Sequence, residues 1–175
     1  MQYMNKLKFL LIIAAIVVSG CTMINRFDTQ TNRQPASQVN EAKPADSTTA
    51  TKNKIDLSGQ GLAQVSQDIF KMTNLVELDV SGNNLTGALP AEIRQLQKLE
   101  ILNAADNQMT GVPAEVGQLQ NLRVLNLANN QLTGLPYELA NLKNLEVLNL
   151  SGNNYSTQDL EIIRQGLPKN INIIL

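Results

Sequence analysis

Residues 122–132 read LRVLNLANNQL and residues 145–155 read LEVLNLSGNNY. In both, apolar side chains stand at the first, fourth, sixth and last positions, and Asn stands at the ninth. The alternation Leu125, Leu127 and again Leu148, Leu150 places two apolar side chains on one face of a short strand. Working outward, the same spacing returns at Leu99, Leu102, Ala104, Asn107 and Met109, and at Leu75, Leu78, Val80, Asn83 and Leu85. A degenerate copy lies at Ile55, Leu57, Gln60 and Leu62. The copies begin at 52, 75, 99, 122 and 145, so the steps are 23, 24, 23 and 23 residues. One such unit cannot bury its own apolar face, but stacked units share a continuous core.

The second halves of the copies align as well. Val65, Leu89, Val112 and Leu135 form one apolar column, Ile69, Ile93, Val116 and Leu139 a second, and Met72, Leu96, Leu119 and Leu142 a third. Pro90, Pro113 and Pro136 stand where a helical turn is expected to begin, a position that tolerates proline. Asp68, Glu92, Glu115 and Glu138 follow two residues later. Four aligned carboxylates raise the idea of a cation site; the stronger reading is that acids near a helix start suit its dipole. After the fifth copy, Ser156 or Thr157 can start a helix, and Leu160, Ile163 and Leu167 give it an apolar stripe. Gly166 and Pro168 end it. Ile171, Ile173 and Leu175 then alternate as a last strand, which puts Asn170 beside Val147 and Asn172 beside Asn149.

The repeat L-x-x-L-x-L-x-x-N-x-L resembles the leucine-rich-repeat signature over residues 52–175. The resemblance implies an α/β solenoid of five repeats of 23–24 residues plus a terminal strand. A parallel sheet lines the concave side, short helical or 3-10 turns line the convex side, and a helix–strand cap begins near 156. It also implies a structural amide column at Gln60, Asn83, Asn107, Asn130 and Asn153, with Gln60 a longer substitute at an atypical end repeat. In the family these side chains bond the backbone of the adjacent coil, satisfying groups that would cost about 1–3 kcal/mol each if left unpaired.

The N-terminus carries a different message. Lys6 and Lys8 precede FLLIIAAIVV at residues 9–18, and Ser19, Gly20 and Cys21 follow. Basic, apolar, small is the order of a secretory signal peptide. The apolar run is about half the roughly 20 residues of a membrane span. Val18-Ser19-Gly20-Cys21 resembles the bacterial lipobox, although Leu is more usual where Val18 stands. That resemblance implies cleavage before Cys21 and a lipid on its thiol; an ordinary signal peptide leaving a free thiol is the plainer alternative. Thr22, rather than Asp, follows the cysteine and by the same resemblance leans toward the outer membrane of a Gram-negative host. Removing residues 1–20 leaves 12 basic and 15 acidic side chains, a formal charge of -3, so the lipid must supply the membrane attachment. Residues 21–51 then comprise the lipidated Cys21 and a tether rich in Thr, Gln, Asn, Ser, Ala and Pro, too poor in large apolar residues to offset its ordering entropy.

Composition narrows the function. The chain has 175 residues, no His, no Trp and one Cys, and a formal charge of -1. Without His the commonest general base and the commonest metal ligand are missing, and without a basic stripe there is no surface for nucleic acid. No cofactor is expected beyond the covalent lipid. The resemblance implies binding of a protein or glycan on the concave sheet, where Glu77, Asp79, Ile101, Asn103, Val124, Asn126, Val147 and Asn149 face outward and Arg123 lies at the strand edge. Ile101, Val124 and Val147 form an apolar strip, the best candidate contact. Paired acids such as Asp56 and Asp79 resemble a carboxylate dyad, but neighbouring acids are routine on a repeated strand. The expected protein is a monomeric, non-catalytic binding module at the cell envelope, the alternative a structural spacer without a ligand.

Replacing Cys21 by Ser is expected to leave the protein soluble or uncleaved. Membrane fractionation with an intact-mass measurement checks this, and a processed, membrane-bound Ser variant would rule out lipidation.

Overall fold

A computed structural model describes residues 53–175. The expected signal peptide, the expected lipidation at Cys21 and the expected tether lie outside the described residues. Six three-residue strands form one parallel sheet: β1 (Lys54–Asp56), β2 (Glu77–Asp79), β4 (Ile101–Asn103), β6 (Val124–Asn126), β7 (Val147–Asn149) and β8 (Asn172–Ile174), in that spatial order. Two further short strands, β3 (Thr86–Gly87) and β5 (Gln108–Met109), pair on the flank after the turn. The alternation decides which side chains point inward: Leu78, Leu102, Leu125 and Leu148 stack in register and are fully buried. Burying a leucine contributes about 1.5–3 kcal/mol, so this column and its neighbours Leu75, Leu99, Leu122 and Leu145 form the spine of the core.

The convex side closes each coil differently. The first copy uses α1 (Gln67–Phe70), the middle three use 3-10 turns at Ala91–Gln95, Ala114–Gln118 and Tyr137–Asn141, and the fifth uses α2 (Thr157–Gly166). Pro90, Pro113 and Pro136 cap these turns from outside, one residue before the first helical position. In the first copy the third apolar column fails. Met72 is 41% exposed, while Phe70 at 1% fills the core instead. The α1 turn, in place of a 3-10 turn, rotates a different residue inward. Ser156 caps α2, its hydroxyl accepting from the Asp159 N–H, and Leu160, Ile163 and Leu167 are buried.

The last strand also departs from the expected register. Val147 pairs with Asn172, Leu148 with Ile173 and Asn149 with Ile174. The step from β7 to β8 is therefore two residues longer than the step before it. An α-helix rises about 1.5 Å per residue against about 2.0 Å for a 3-10 turn, so α2 spends more residues in crossing the back of the coil.

The amide column holds the coils together. Asn83 Oδ1 accepts from the Gln60 and Leu62 N–H groups of the preceding coil at 3.0 and 2.9 Å, and its Nδ2 donates to the Leu57 carbonyl at 2.9 Å. Asn107 repeats this with Leu85 N–H and the Val80 carbonyl, both at 3.0 Å. Asn130 bonds Met109 N–H at 2.9 Å and the Ala104 carbonyl at 3.0 Å. Asn153 bonds Leu132 N–H at 3.1 Å and the Leu127 carbonyl at 2.9 Å. Each Nδ2 also donates to carbonyls of its own turn. Gln60 differs: it is exposed, and what it gives the ladder is its backbone N–H. Among the described residues no coil precedes it for a side chain to reach.

The residue before each column amide turns left-handed, with φ of 64° at Gly82, 55° at Asp106, 53° at Asn129 and 70° at Gly152. Glycine adopts this region freely, and Asp and Asn are the side chains that best tolerate it. At Gly152 space is limiting too, since a Cβ would lie 2.3 Å from Asn129 Oδ1.

Among the described residues every buried side-chain nitrogen and oxygen has a partner, and no helix is long and apolar enough to cross a membrane. Asn130→Ala, which orphans groups in two coils, is expected to cost about 1–3 kcal/mol. Asn126→Ala on the sheet face, losing a single 3.2 Å bond where water can substitute, is expected to cost about 0.5 kcal/mol. Urea unfolding of both variants provides the comparison.

Candidate binding face

The register builds the face row by row. Lys54, Glu77, Ile101, Val124, Val147 and Asn172 form one row across the sheet, and Asp56, Asp79, Asn103, Asn126, Asn149 and Ile174 form the next. The apolar strip Ile101, Val124, Val147 is contiguous, but its members are half-buried rather than prominent. Asn172, not Asn170, bounds it at β8.

The second row has a local task of its own. Each acid or amide accepts from the backbone N–H two residues on, which closes the strand exit as an Asx turn does. Asp56 Oδ1 accepts from Ser58 N–H and Oγ at 2.9 and 2.7 Å, and Asp79 Oδ1 from Ser81 N–H and Oγ at 2.9 and 2.6 Å. Asn103, Asn126 and Asn149 accept from Ala105, Ala128 and Ser151 at 3.3, 3.2 and 3.2 Å. Asp79 Oδ2 also accepts from Asn103 Nδ2 at 2.9 Å. One oxygen of each residue is therefore committed to the scaffold, and at Asp79 the second oxygen is also bonded, to Asn103. The signal for this was present as Asp or Asn two residues before Ser or Ala in every copy.

Charge is unevenly spent. Lys54 Nζ lies 2.5 Å from Glu77 Oε2. Arg123, at the strand edge, holds Glu146 through two bonds of 2.9 and 3.1 Å and lies 3.8 Å from Glu100. The bonds and charge of Glu146, with Glu100 adding to them, raise the guanidinium's already high pKa. These three residues, with Asn121 and Asn144, line an open recess of 260 Å³ beside the strands. A larger recess of 620 Å³ lies on the flank of the first two coils and reaches the third, over Leu57, Leu62, Ile69, Leu85 and Met109. On the convex side the aligned acids are dispersed: Asp68 bonds Lys71 at 2.7 Å, and Glu115 lies 4.0 Å from Arg94. Among the described residues no group of three or more acids, His or Cys is placed to hold a metal ion. The chemistry the face offers is hydrogen bonding, charge and apolar contact.

A family model described as a leucine-rich repeat region matches residues 54–165. The structure is similar to a leucine-rich-repeat protein of Leptospira interrogans, at 42% identity over 65% of this chain and 28% of that one, TM-score 0.60. It is similar to an internalin of Listeria monocytogenes, at 26% identity over 63% of this chain and 31% of that one, TM-score 0.55. It is also similar to the ectodomain of the Arabidopsis thaliana receptor kinase GASSHO1/SCHENGEN3, at 34% identity over 64% of this chain and 14% of that one, TM-score 0.54. That ectodomain was solved in complex with CASPARIAN STRIP INTEGRITY FACTOR 2. The chain thus spans less than a third of the length of each of these proteins. No curated protein matches it.

The Ser58 side-chain and backbone bonds hold the Asp56 carboxyl below its ordinary pKa. A depressed carboxylate pKa means these bonds support the fold above the ordinary value and are lost as pH falls through the lowered one. Carbon-13 titration by NMR is expected to find Asp56 below a normal aspartate, and Ser58→Ala is expected to return it upward.

Proposed function

The chain belongs to the leucine-rich-repeat family, and from that premise we propose that its repeat domain is a non-catalytic protein-binding module, held at a bacterial envelope by a lipid on Cys21. The observation that carries the binding reading is the in-register row Ile101, Val124, Val147 beside the polar row Asp79, Asn103, Asn126 and Asn149. Water-facing apolar residues in line favour contact with a partner. The GASSHO1/SCHENGEN3 complex, a relative with a bound factor, supports the same reading.

The envelope location rests on the sequence alone: a basic start, an apolar run and Val-Ser-Gly-Cys with the chain's single Cys at its end. Two or more acyl chains anchor stably where one does not. Residues 21–51 form the tether, about thirty residues with a coil span of roughly 30 Å, and Thr22 favours the outer membrane. A tethered module meets partners in the same envelope at a raised effective concentration, so a modest contact area suffices.

A spacer without a ligand is the second reading. It is favoured by the Asx bonds, which give every polar residue of the second row a scaffold role. Crosslinking in living cells from a photoreactive residue at Val124 separates the two. A binder is expected to give one dominant adduct, and Val124→Lys is expected to abolish its capture while costing about 1 kcal/mol of stability. A spacer gives no dominant adduct.

A further inference from the structure

The concave face is polarised along the solenoid axis. At β1 and β2, Lys54 is taken up by Glu77, and Arg123 at the edge is taken up by Glu146. Asp56 and Asp79, in register on adjacent strands, are left without a cation: among the described residues no Lys or Arg lies within ion-pair distance of either. Their bonds come from the neutral donors Ser58, Ser81 and Asn103, which hold the carboxylates in place without neutralising them. In their own row the next strands carry the neutral Asn103, Asn126 and Asn149, in the neighbouring row they carry the apolar Ile101, Val124 and Val147, and β8 presents Asn172 and Ile174. One end of the face is anionic and its middle is neutral, apolar in one row.

A purely apolar partner laid across this face would desolvate two carboxylates with nothing to pair them, which is costly. An acidic one would be repelled. Ile101, Val124 and Val147 stand in the neighbouring row, two residues back along their strands from the partners of Asp79. With strands about 4.8 Å apart and about 3.3 Å per residue along each, they lie about 8, 12 and 16 Å from Asp79 on a diagonal. An extended chain advances about 3.3 Å per residue, and every second side chain points the same way. Side chains two and four residues from one that reaches Asp79 advance about 7 and 13 Å, so a segment crossing the sheet obliquely sets them over Ile101 and the Val124–Val147 stretch of the strip.

We infer that the occupant of this face is an extended segment of a partner protein that sets a Lys or Arg against Asp56 and Asp79 and apolar side chains two and four residues away over Ile101, Val124 and Val147. This rests on the concave face being the binding surface. Lys54 and Glu77 satisfy each other at the rim, and Asn103 steadies Asp79 for the incoming cation.

The probes are fluorescent peptides of Gly and Ser carrying one Lys with Val two and four residues on, and counterparts with Gln or Glu replacing the Lys. Anisotropy with the full chain is expected to show the Lys peptide binding at least about tenfold tighter than the Glu peptide near 50 mM salt, with the difference shrinking toward about 500 mM. Asp56→Asn with Asp79→Asn is expected to erase the preference. It keeps the fold, because Asn149 already makes the same bond to Ser151 Oγ at 2.8 Å. Val124→Gln is expected to weaken all three peptides. Equal affinity for the three, still lost with Val124→Gln, overturns the inferred charge pattern while the face remains a binding surface. No affinity for any of them, or affinity unmoved by Val124→Gln, overturns the concave-face reading itself.

Discussion

The structure depends on one interaction repeated four times: a carboxamide, buried in three of the four, that bonds backwards to the coil before it. A three-residue strand offers few backbone hydrogen bonds, and the sharp turn after it leaves amides and carbonyls pointing at no strand partner. Water has little access to these groups at Asn83, Asn107 and Asn130, which are buried against the leucine core. A buried backbone group left unpaired costs more than a typical hydrogen bond contributes. Asn83, Asn107, Asn130 and Asn153 remove that cost by accepting and donating at once, something neither Asp nor Leu could do in their place. The tight turn that aims each carboxamide requires a left-handed residue just before it, which explains why Gly, Asp and Asn fill that column.

Much of this architecture was legible because it repeats. A position seen in several equivalent settings reveals its environment, so the inward leucines, the amide column and the strand register from β1 to β7 follow from spacing alone. The departures lie where repetition fails. The sequence aligns Met72 with Leu96, yet the different turn of α1 buries Phe70 instead. It aligns Asn170 with Val147, yet the slower rise of α2 brings Asn172 there. Nor does spacing disclose how Gln60 contributes, since its role depends on what stands before it rather than on its column. On the candidate face, sequence places each residue in its row but not its hydrogen bonds. Arg123 is on the edge as expected, and the two carboxylates that hold it became visible only in three dimensions.

The same repetition constrains how a binding surface can arise here. From β1 to β7 the second row closes strand exits, so its residues there are limited to acceptors; Asp and Asn are interchangeable for that purpose, and the choice between them sets charge without disturbing the fold. The first row carries no such duty, and it is there that the residues vary most, from Lys and Glu through Ile and Val to Asn. Variation of ligand chemistry is confined to one row of outward positions and to the acid-or-amide choice in the next.

The amide ladder also has a direction. Asn83 secures the coil of Gln60 and Leu62, Asn107 that of Leu85, Asn130 that of Met109 and Asn153 that of Leu132. Each carboxamide also ties its own turn, but its oxygen serves only the coil before. A chain made from its N-terminus therefore completes each coil only when the next has been synthesised, and consolidation trails the growing end by one repeat. Until Asn153 has emerged, the turn at Leu132 still lacks its acceptor, so the last repeat and its helical cap do more than cover an exposed edge: they finish the coil before them.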